Sequence, residues 1–483
     1  MRILFIIFPQ RSHLNATLPL AREFSQGGHE IVYSVCEELR RPVEASGFTF
    51  VRRERDVYPF LEQRPRAPVR ARRSILQWGH MWRRREDYQR TYRETGDLTG
   101  IVTTIRPDIV LIDRAYALLC PALFALRIPF GLLVSMGNLN HTFGFPPHDT
   151  RFVPTASRIG RWMAEFHWRR YFIRRCIGKA ISFHLEFDRT FLRQLEADCA
   201  WPGFRFDTDR YIHPGIREAP EFLLFPREFD FPRPLAPNQY HVGTALKRDG
   251  ADGSVDFSFA KTWSRFCSER DNATPIVFCG LGTAAWRYKG ALAILRMLVD
   301  MARHSAWNLV VAAGALAREL KELSPPPNVL ICETLPQLDV LAQCDVMINH
   351  GGMNSIVESI AAGVPMLVCP GMKDSDQPGN AARVCFHGLG ESFNPLWEGR
   401  GRLRAKISLL LSNPRYRQRV GAMRSAILRS DAQNQPERIV LDALTKHFRS
   451  SLGTSRRRQI LPFDRMTPPE SRNAPVAPFE NFP

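Results

Sequence analysis

The chain is short of acid. Against 66 lysines and arginines it has 48 aspartates and glutamates, a formal net charge of +18. No nucleic-acid motif accompanies that charge, which sets a polynucleotide partner aside. Much of the excess is arginine, and it reads either as a face for an anionic surface or substrate or as plain solvated arginine. The 10 cysteines are scattered, with no CxxC and no paired spacing. That argues against a zinc or disulfide framework and for a reducing compartment. No uncharged apolar run reaches the roughly 18 residues of a membrane span. The run Ile3 to Phe8 is too short, and no small-residue cleavage site follows it. The expectation is a cytoplasmic protein, soluble or peripheral at a membrane. No GxGxxG follows that run, so a nicotinamide cofactor is not supported.

What is present is a globular chain of 483 residues, 44% hydrophobic, long enough for two or three domains. Ile3 to Phe8 reads as a buried strand. A loop from Pro9 to Asn15, holding His13, leads into a helix with Leu18, Leu20, Ala21 and Phe24. Gly27 and Gly28 end it, and His29 to Val35 reads as a second strand. This is the βαβ opening of a doubly wound sheet. His29, just before that strand, reads as structural. Asp108 to Ile112 is another strand with Asp113 at its end, either a functional carboxylate or a cap for the next helix. Residues 44–93 are dense in arginine with Trp78, Trp82 and Tyr88 interleaved. Either a solvated helix pair or a membrane or acceptor face fits them. Residues 158–181 read as a basic amphipathic helix, able to lie on anionic lipid or to turn its aromatics inward.

Residues 245–272, opening with the polar stretch Lys247 to Ser254, read as an interdomain linker. A second domain spans 273–450, after a first of 1–244. It opens with a strand, Pro275 to Cys279, and the turn Gly280-Leu281-Gly282-Thr283. Further strands at Trp307 to Ala312, Val329 to Ile331 and Asp345 to Ile348 imply a second parallel sheet. Residues 451–483, with Arg456-Arg457-Arg458, several prolines and little periodicity, read as a disordered tail.

The second domain centres on Asn349 to Val384. His350-Gly351-Gly352 precedes a helix with Ile356, Val357, Ile360 and Ala361 apolar, closed by Gly363 and Pro365. Val364 to Cys369 is a buried strand. The free N–H groups and positive dipole end of that helix suit a phosphate, and Gly351 and Gly352 admit it close to the backbone. Asn354, Ser355 and His350 add donors, His350 one that can carry charge. Glu358 lies one turn beyond Asn354, placed to accept from a ribose diol. Asp376 and Gln377 follow the next strand, at the carboxyl-end side where α/β sheets bind ligands.

Pro336-Gln337, His350-Gly351-Gly352-Met353-Asn354-Ser355, Glu358, Gly363-Val364-Pro365, Asp376-Gln377-Pro378 and Asn380-Ala381 together resemble the donor-binding signature of the family 1, GT-B glycosyltransferases. The pattern is nearest to the macrolide and zeaxanthin enzymes of that family. The resemblance implies two Rossmann-like domains facing across a cleft, an α/β fold. It implies that Thr283, Gln337, His350, Gly351, Gly352, Asn354, Ser355, Glu358, Asp376 and Gln377 hold a nucleotide-sugar donor, a uridine diphosphate sugar foremost. Ser12-His13-Leu14-Asn15 resembles the family's opening. His13 would then be the general base and Asp113 the carboxylate that orients it, with a plain loop histidine and a helix cap as the open alternatives. The implied reaction is inverting transfer of a sugar to a hydroxyl of a hydrophobic small molecule or lipid. A nucleotide-sugar epimerase and a non-catalytic nucleotide-sugar-binding protein are the alternatives. No cofactor or metal is expected: Asp374-Ser375-Asp376 spells DxD, but its place matches the family's sugar-binding loop. Thr334 stands where plant members stack a tryptophan on uracil, so uridine and thymidine both stay open.

Overall fold

The computed structural model describes residues 1–53, 98–181, 189–199, 204–207, 214–217, 219–243, 257–268, 273–282, 290–371 and 375–452. Among them the apolar runs form two parallel sheets. The first holds β1 (Arg2–Ile6), β2 (Glu30–Val35), β3 (Thr49–Arg52), β4 (Ile109–Asp113) and β5 (Phe130–Val134). After a small antiparallel pair, β6 (Phe206–Asp207) and β7 (Gly215–Ile216), the chain adds β8 (Glu221–Leu223) and β9 (Gln239–His241) to it. The order is β3-β2-β1-β4-β5-β8-β9. The second sheet holds β10 (Ile276–Gly280), β11 (Asn308–Ala312), β12 (Val329–Cys332), β13 (Val346–Asn349), β14 (Met366–Val368) and β15 (Gly390–Ser392). Its order is β12-β11-β10-β13-β14-β15.

Both faces of each sheet are covered, which is why the strands read as continuous apolar runs. In β1, Ile3 and Phe5 join one core while Leu4 and Ile6 join another on the opposite face. In β10, Val277 and Cys279 split from Ile276 and Phe278 in the same way. Each such side chain taken from water contributes about 1.5–3 kcal/mol. Each sheet reverses strand order once, between β1 and β4 and between β10 and β13. Such a reversal opens a crevice at the carboxyl ends of the strands, where open α/β sheets take ligands.

Three sequence expectations shift. The helix Arg11–Gln26 starts earlier than expected, so His13 sits in its first turn and not in a loop. Within the stretch read as a linker, Phe257–Ser268 is a helix whose Phe259 and Trp263 pack in the core of the second sheet. The helix Pro436–Leu452, read as the end of the second domain, returns to the first: Val440, Ala443 and Leu444 pack with Ile3, Phe5 and Tyr33. Glu437 on it bonds His29 at 2.9 Å, so His29 has the structural place expected of it. The expected interleaved aromatics Trp78, Trp82 and Tyr88, and the tail from 453 onward, lie outside the described residues.

Candidate functional site

On the first-domain side, the carboxyl end of β1 leads into the helix carrying His13, and β4 ends at Asp113 beside it. His13 Nδ1 lies 2.5 Å from Asp113 Oδ2, with the two side chains 15% and 6% exposed. Ser135 Oγ is 3.2 Å from the same nitrogen. The carboxylate therefore accepts a hydrogen bond from Nδ1–H, which leaves the lone pair of the neutral ring on Nε2. Asp113 also accepts from the Ala115 backbone N–H at 2.9 Å. One oxygen caps the turn Arg114–Leu119 and the other is bonded to the histidine, so the cap expected of this residue is present and its second oxygen faces His13. Burial disfavours the imidazolium, but the charge and hydrogen bond of Asp113, with the charge of Asp376, more than offset it. The His13 pKa is raised above 6.5.

On the second-domain side, β13 runs into His350-Gly351-Gly352 and the helix Met353–Ala362. Gly351 has φ +90°, the left-handed region open to glycine. Its N–H donates to Asn349 Oδ1 at 2.8 Å and its carbonyl accepts from Asn380 at 2.9 Å. The His350 ring packs so closely that a Cβ on Gly352 would lie 2.5 Å from its Nε2. Burial lowers its pKa to about 4, so at neutral pH it offers a neutral imidazole and not the charge the sequence allowed for. Gln337 Nε2 donates to Glu358 Oε2. Asp376 begins the helix Gln377–His387 and accepts from Asn380 Nδ2 at 2.8 Å. Gln377 Oε1 accepts from the Gly371 N–H at 3.0 Å.

The two halves meet at this point. Asn354 Nδ2 donates to the Ser12 carbonyl at 2.8 Å, next to His13. The Gly379 N–H donates to the His148 carbonyl at 2.7 Å. Below them Arg383 Nε donates to Asp230 Oδ1 at 2.9 Å, and Arg233 lies 3.1 Å from Oδ2. Arg233 reaches the Asn138 carbonyl at 2.7 Å, in the loop that follows β5. Burial alone would raise the Asp230 pKa, but the two guanidiniums reverse that and hold it low.

The structure thus brings His13, Asp113, Asn354 and Asp376 to one place, with Gly351, Gly352 and His350 at the adjoining helix start and Gln337 with Glu358 further along it. Ser355, in that helix, is half-buried. Thr283 and the first aspartate of the DxD, Asp374, lie outside the described residues. Sequence reasoning missed Ser135, Asn380 as the link between Asp376 and the glycine turn, and the Arg383–Asp230–Arg233 joint. Ser135 had a usable signal, its place at the end of a strand next to β4. The joint had none, because Asp230 and Arg383 are far apart in the chain.

Two doubly wound domains with their carboxyl ends opposed define the GT-B fold, and solved structures share it. The glycotransferase of kitacinnamycin matches at TM-score 0.61 and 24% identity, covering 92% of this chain and 98% of its own. VinC, solved with dTDP, matches at 0.58 and 18%, covering 92% and 100%. Residues 296–444 match the family model "Erythromycin biosynthesis protein CIII-like, C-terminal domain". Demethyllactenocin mycarosyltransferase of Streptomyces fradiae is 24% identical over 438 residues, 89% of this chain and 83% of its own. Zeaxanthin glucosyltransferase of Pantoea ananas is 27% identical over 202 residues, 41% and 43% of the two chains. The resemblance to family 1 GT-B glycosyltransferases stands in sequence and in fold. Among the described residues no helix is long and apolar enough to cross a membrane.

Proposed function

We propose that the chain transfers a sugar from a nucleoside diphosphate sugar to a hydroxyl of a hydrophobic small molecule or lipid, with inversion at the anomeric carbon. The observation that carries this is the His13–Asp113 pair, 2.5 Å apart, set against the start of the helix Met353–Ala362 through the Asn354–Ser12 bond. His13 Nε2 takes the acceptor proton as its oxygen attacks, and Asp113 stabilises the imidazolium that forms. The leaving diphosphate sits at the helix start, where Gly351, Gly352, Asn354, Ser355 and the neutral His350 supply donors, and Thr283 is the further donor that the family resemblance implies. That donor set offsets the leaving charge, so the proposal needs no metal and no cofactor. Glu358 with Gln337 holds the ribose, and Asp376 with Gln377 holds the sugar. The base is uracil or thymine: Thr334 stands in the tryptophan's place, and VinC and the spinosyn rhamnosyltransferase SpnG were both solved with thymidine diphosphate.

The test is nucleoside diphosphate release from a panel of uridine and thymidine diphosphate sugars, with and without mixed hydrophobic hydroxyl acceptors, in wild type and His13→Ala. Acceptor-dependent release that disappears in the variant is expected. Donor binding without release in any combination would overturn it.

A further inference from the structure

The helix Arg158–Ile181 turns part of its aromatic content outward. Its inner face is satisfied. Ala164, Trp168 and Tyr171 are buried, and Trp168 Nε1 donates to the Phe145 carbonyl at 2.7 Å. Its outer face carries Ile159, Trp162, Met163, Phe166 and Ile173, which are 78%, 68%, 40%, 55% and 59% exposed. At about 100° per residue these five fall in a single stripe. Phe143, 63% exposed, stands on the adjoining loop, where Gly144 packs against the Arg161 side chain.

The charge along this stripe is mainly of one sign, with Arg174 alone of its arginines paired, to Asp149 at 3.0 Å, among the described residues. Arg158, Arg161, Arg169, Arg170 and Arg174 are exposed among the apolar side chains. The one carboxylate in the helix sequence, Glu165, is turned to His141 at 3.0 Å and to the Gly144 N–H at 3.1 Å. We propose that this face, with Phe143, docks on an anionic phospholipid surface, the helix lying in the plane of the headgroups. A protein interface keeps charge at its rim and an apolar centre. Here Arg170 falls within the apolar stripe and Arg158, Arg169 and Arg174 lie along its edges, so guanidiniums stand directly beside the aromatic rings. A headgroup layer takes both at once, phosphates pairing with guanidiniums while indole and phenyl rings reach the acyl boundary. The inference is independent of the transferase reading, because vesicle binding requires neither donor nor turnover.

The experiment is co-sedimentation of the full chain with phosphatidylcholine vesicles, with and without a third of phosphatidylglycerol, at physiological salt, where diffuse attraction is screened. Wild type is expected to pellet with the anionic vesicles and not with the neutral ones. Trp162→Ser/Phe166→Ser/Ile173→Ser keeps every arginine and is expected to lose binding at least about tenfold, the direction set by the lost apolar insertion. Arg161→Gln/Arg169→Gln/Arg170→Gln keeps every apolar anchor and is expected to lose binding similarly. All six side chains are exposed, so donor binding by both variants should be unchanged and serves as the check of folding. Hydrogen exchange on wild type should show vesicle-dependent protection in 158–174. Undiminished binding by the apolar variant would overturn the proposal, because the +18 charge of the whole chain would then suffice. So would vesicle protection confined to other segments, no binding by wild type, or capture by an acidic protein without vesicle binding.

Discussion

The two histidines face each other across the cleft from different strand ends and are tuned in opposite directions. His13 follows β1 and His350 follows β13, each at the carboxyl edge of its sheet beside a strand-order reversal. Both are part-buried, and burial works against protonation in both. His13 meets Asp113 and Asp376, and its pKa rises. At His350 burial dominates, a hydrogen bond donated to the Gly280 backbone offsets it only in part, and the pKa falls to about 4. A base that must receive and hold a proton needs a compensating charge within reach. A donor facing a diphosphate needs only an N–H in a fixed place, and crowding by Gly352 and Gly282 fixes the ring. What separates the two rings is the carboxylate charge beside His13 against the burial that dominates at His350.

The sharpest way to break this contrast is to remove each ring. His13→Ala should lower kcat by about 10²–10⁴-fold and leave donor affinity unchanged, as steady-state release and calorimetry would show. Equal turnover in the variant would end the base assignment. Asp113→Asn should cost up to about 10⁴-fold by allowing the wrong tautomer. It should also move the acid limb of the pH profile. The charge that raises His13 is gone, burial then dominates, and the apparent pKa falls to lower pH. An acid limb that stays in place would show that Asp113 acts only as the cap for Ala115.

A different kind of loss is expected from the joint that holds the two histidines opposite each other. Asp230→Ala leaves Arg383 and Arg233 buried without their carboxylate, their side chains being 1% exposed in the native joint. About 3–5 kcal/mol of stability should go, read as a lower urea midpoint. A midpoint within error of wild type would mean that the domains are held by other contacts. Smaller again is Gly352→Ala. Its φ of −66° suits alanine, so any effect is steric: the new Cβ would lie 2.5 Å from His350 Nε2. Displacing that ring should cost about 1–3 kcal/mol, in stability or in donor binding.

The parts of this arrangement legible in the sequence are the local ones. The apolar runs of β1, β4, β10 and β13 announce buried strands, and the glycine turn with the stop at Gly363 announces the helix Met353–Ala362. Each depends on residues a few positions apart. What was not legible depends on pairing across the chain. The helix Pro436–Leu452 has an apolar stripe, and a stripe says that one face is buried without saying against which sheet. Asp230 and Arg383 are 153 residues apart, and neither stands in a patterned run. Periodicity in Arg158–Ile181 separated two faces, but only packing shows that Trp168 turns in while Trp162 turns out. Whether His350 carries charge was not legible for the same reason, since burial is a property of the assembled site.

The smallest expected effect tests that last point. With a pKa of about 4, His350 is neutral in the ligand-free protein through the whole range in which an ordinary imidazole titrates. Its ring resonances should show no titration from about pH 8 down to about pH 5.5, whereas those of His13 should move near or above the usual imidazole value. A nucleotide sugar has no phosphate ionisation in that range, so donor affinity should carry no inflection owed to His350. His350→Gln keeps a neutral donor in a shorter side chain and should weaken donor binding by about tenfold or less, the worth of one misplaced neutral hydrogen bond. An inflection near pH 6 that vanishes in His350→Gln would mean that the ring does gain a proton at the diphosphate. The contrast between the two histidines would then hold only before the donor arrives.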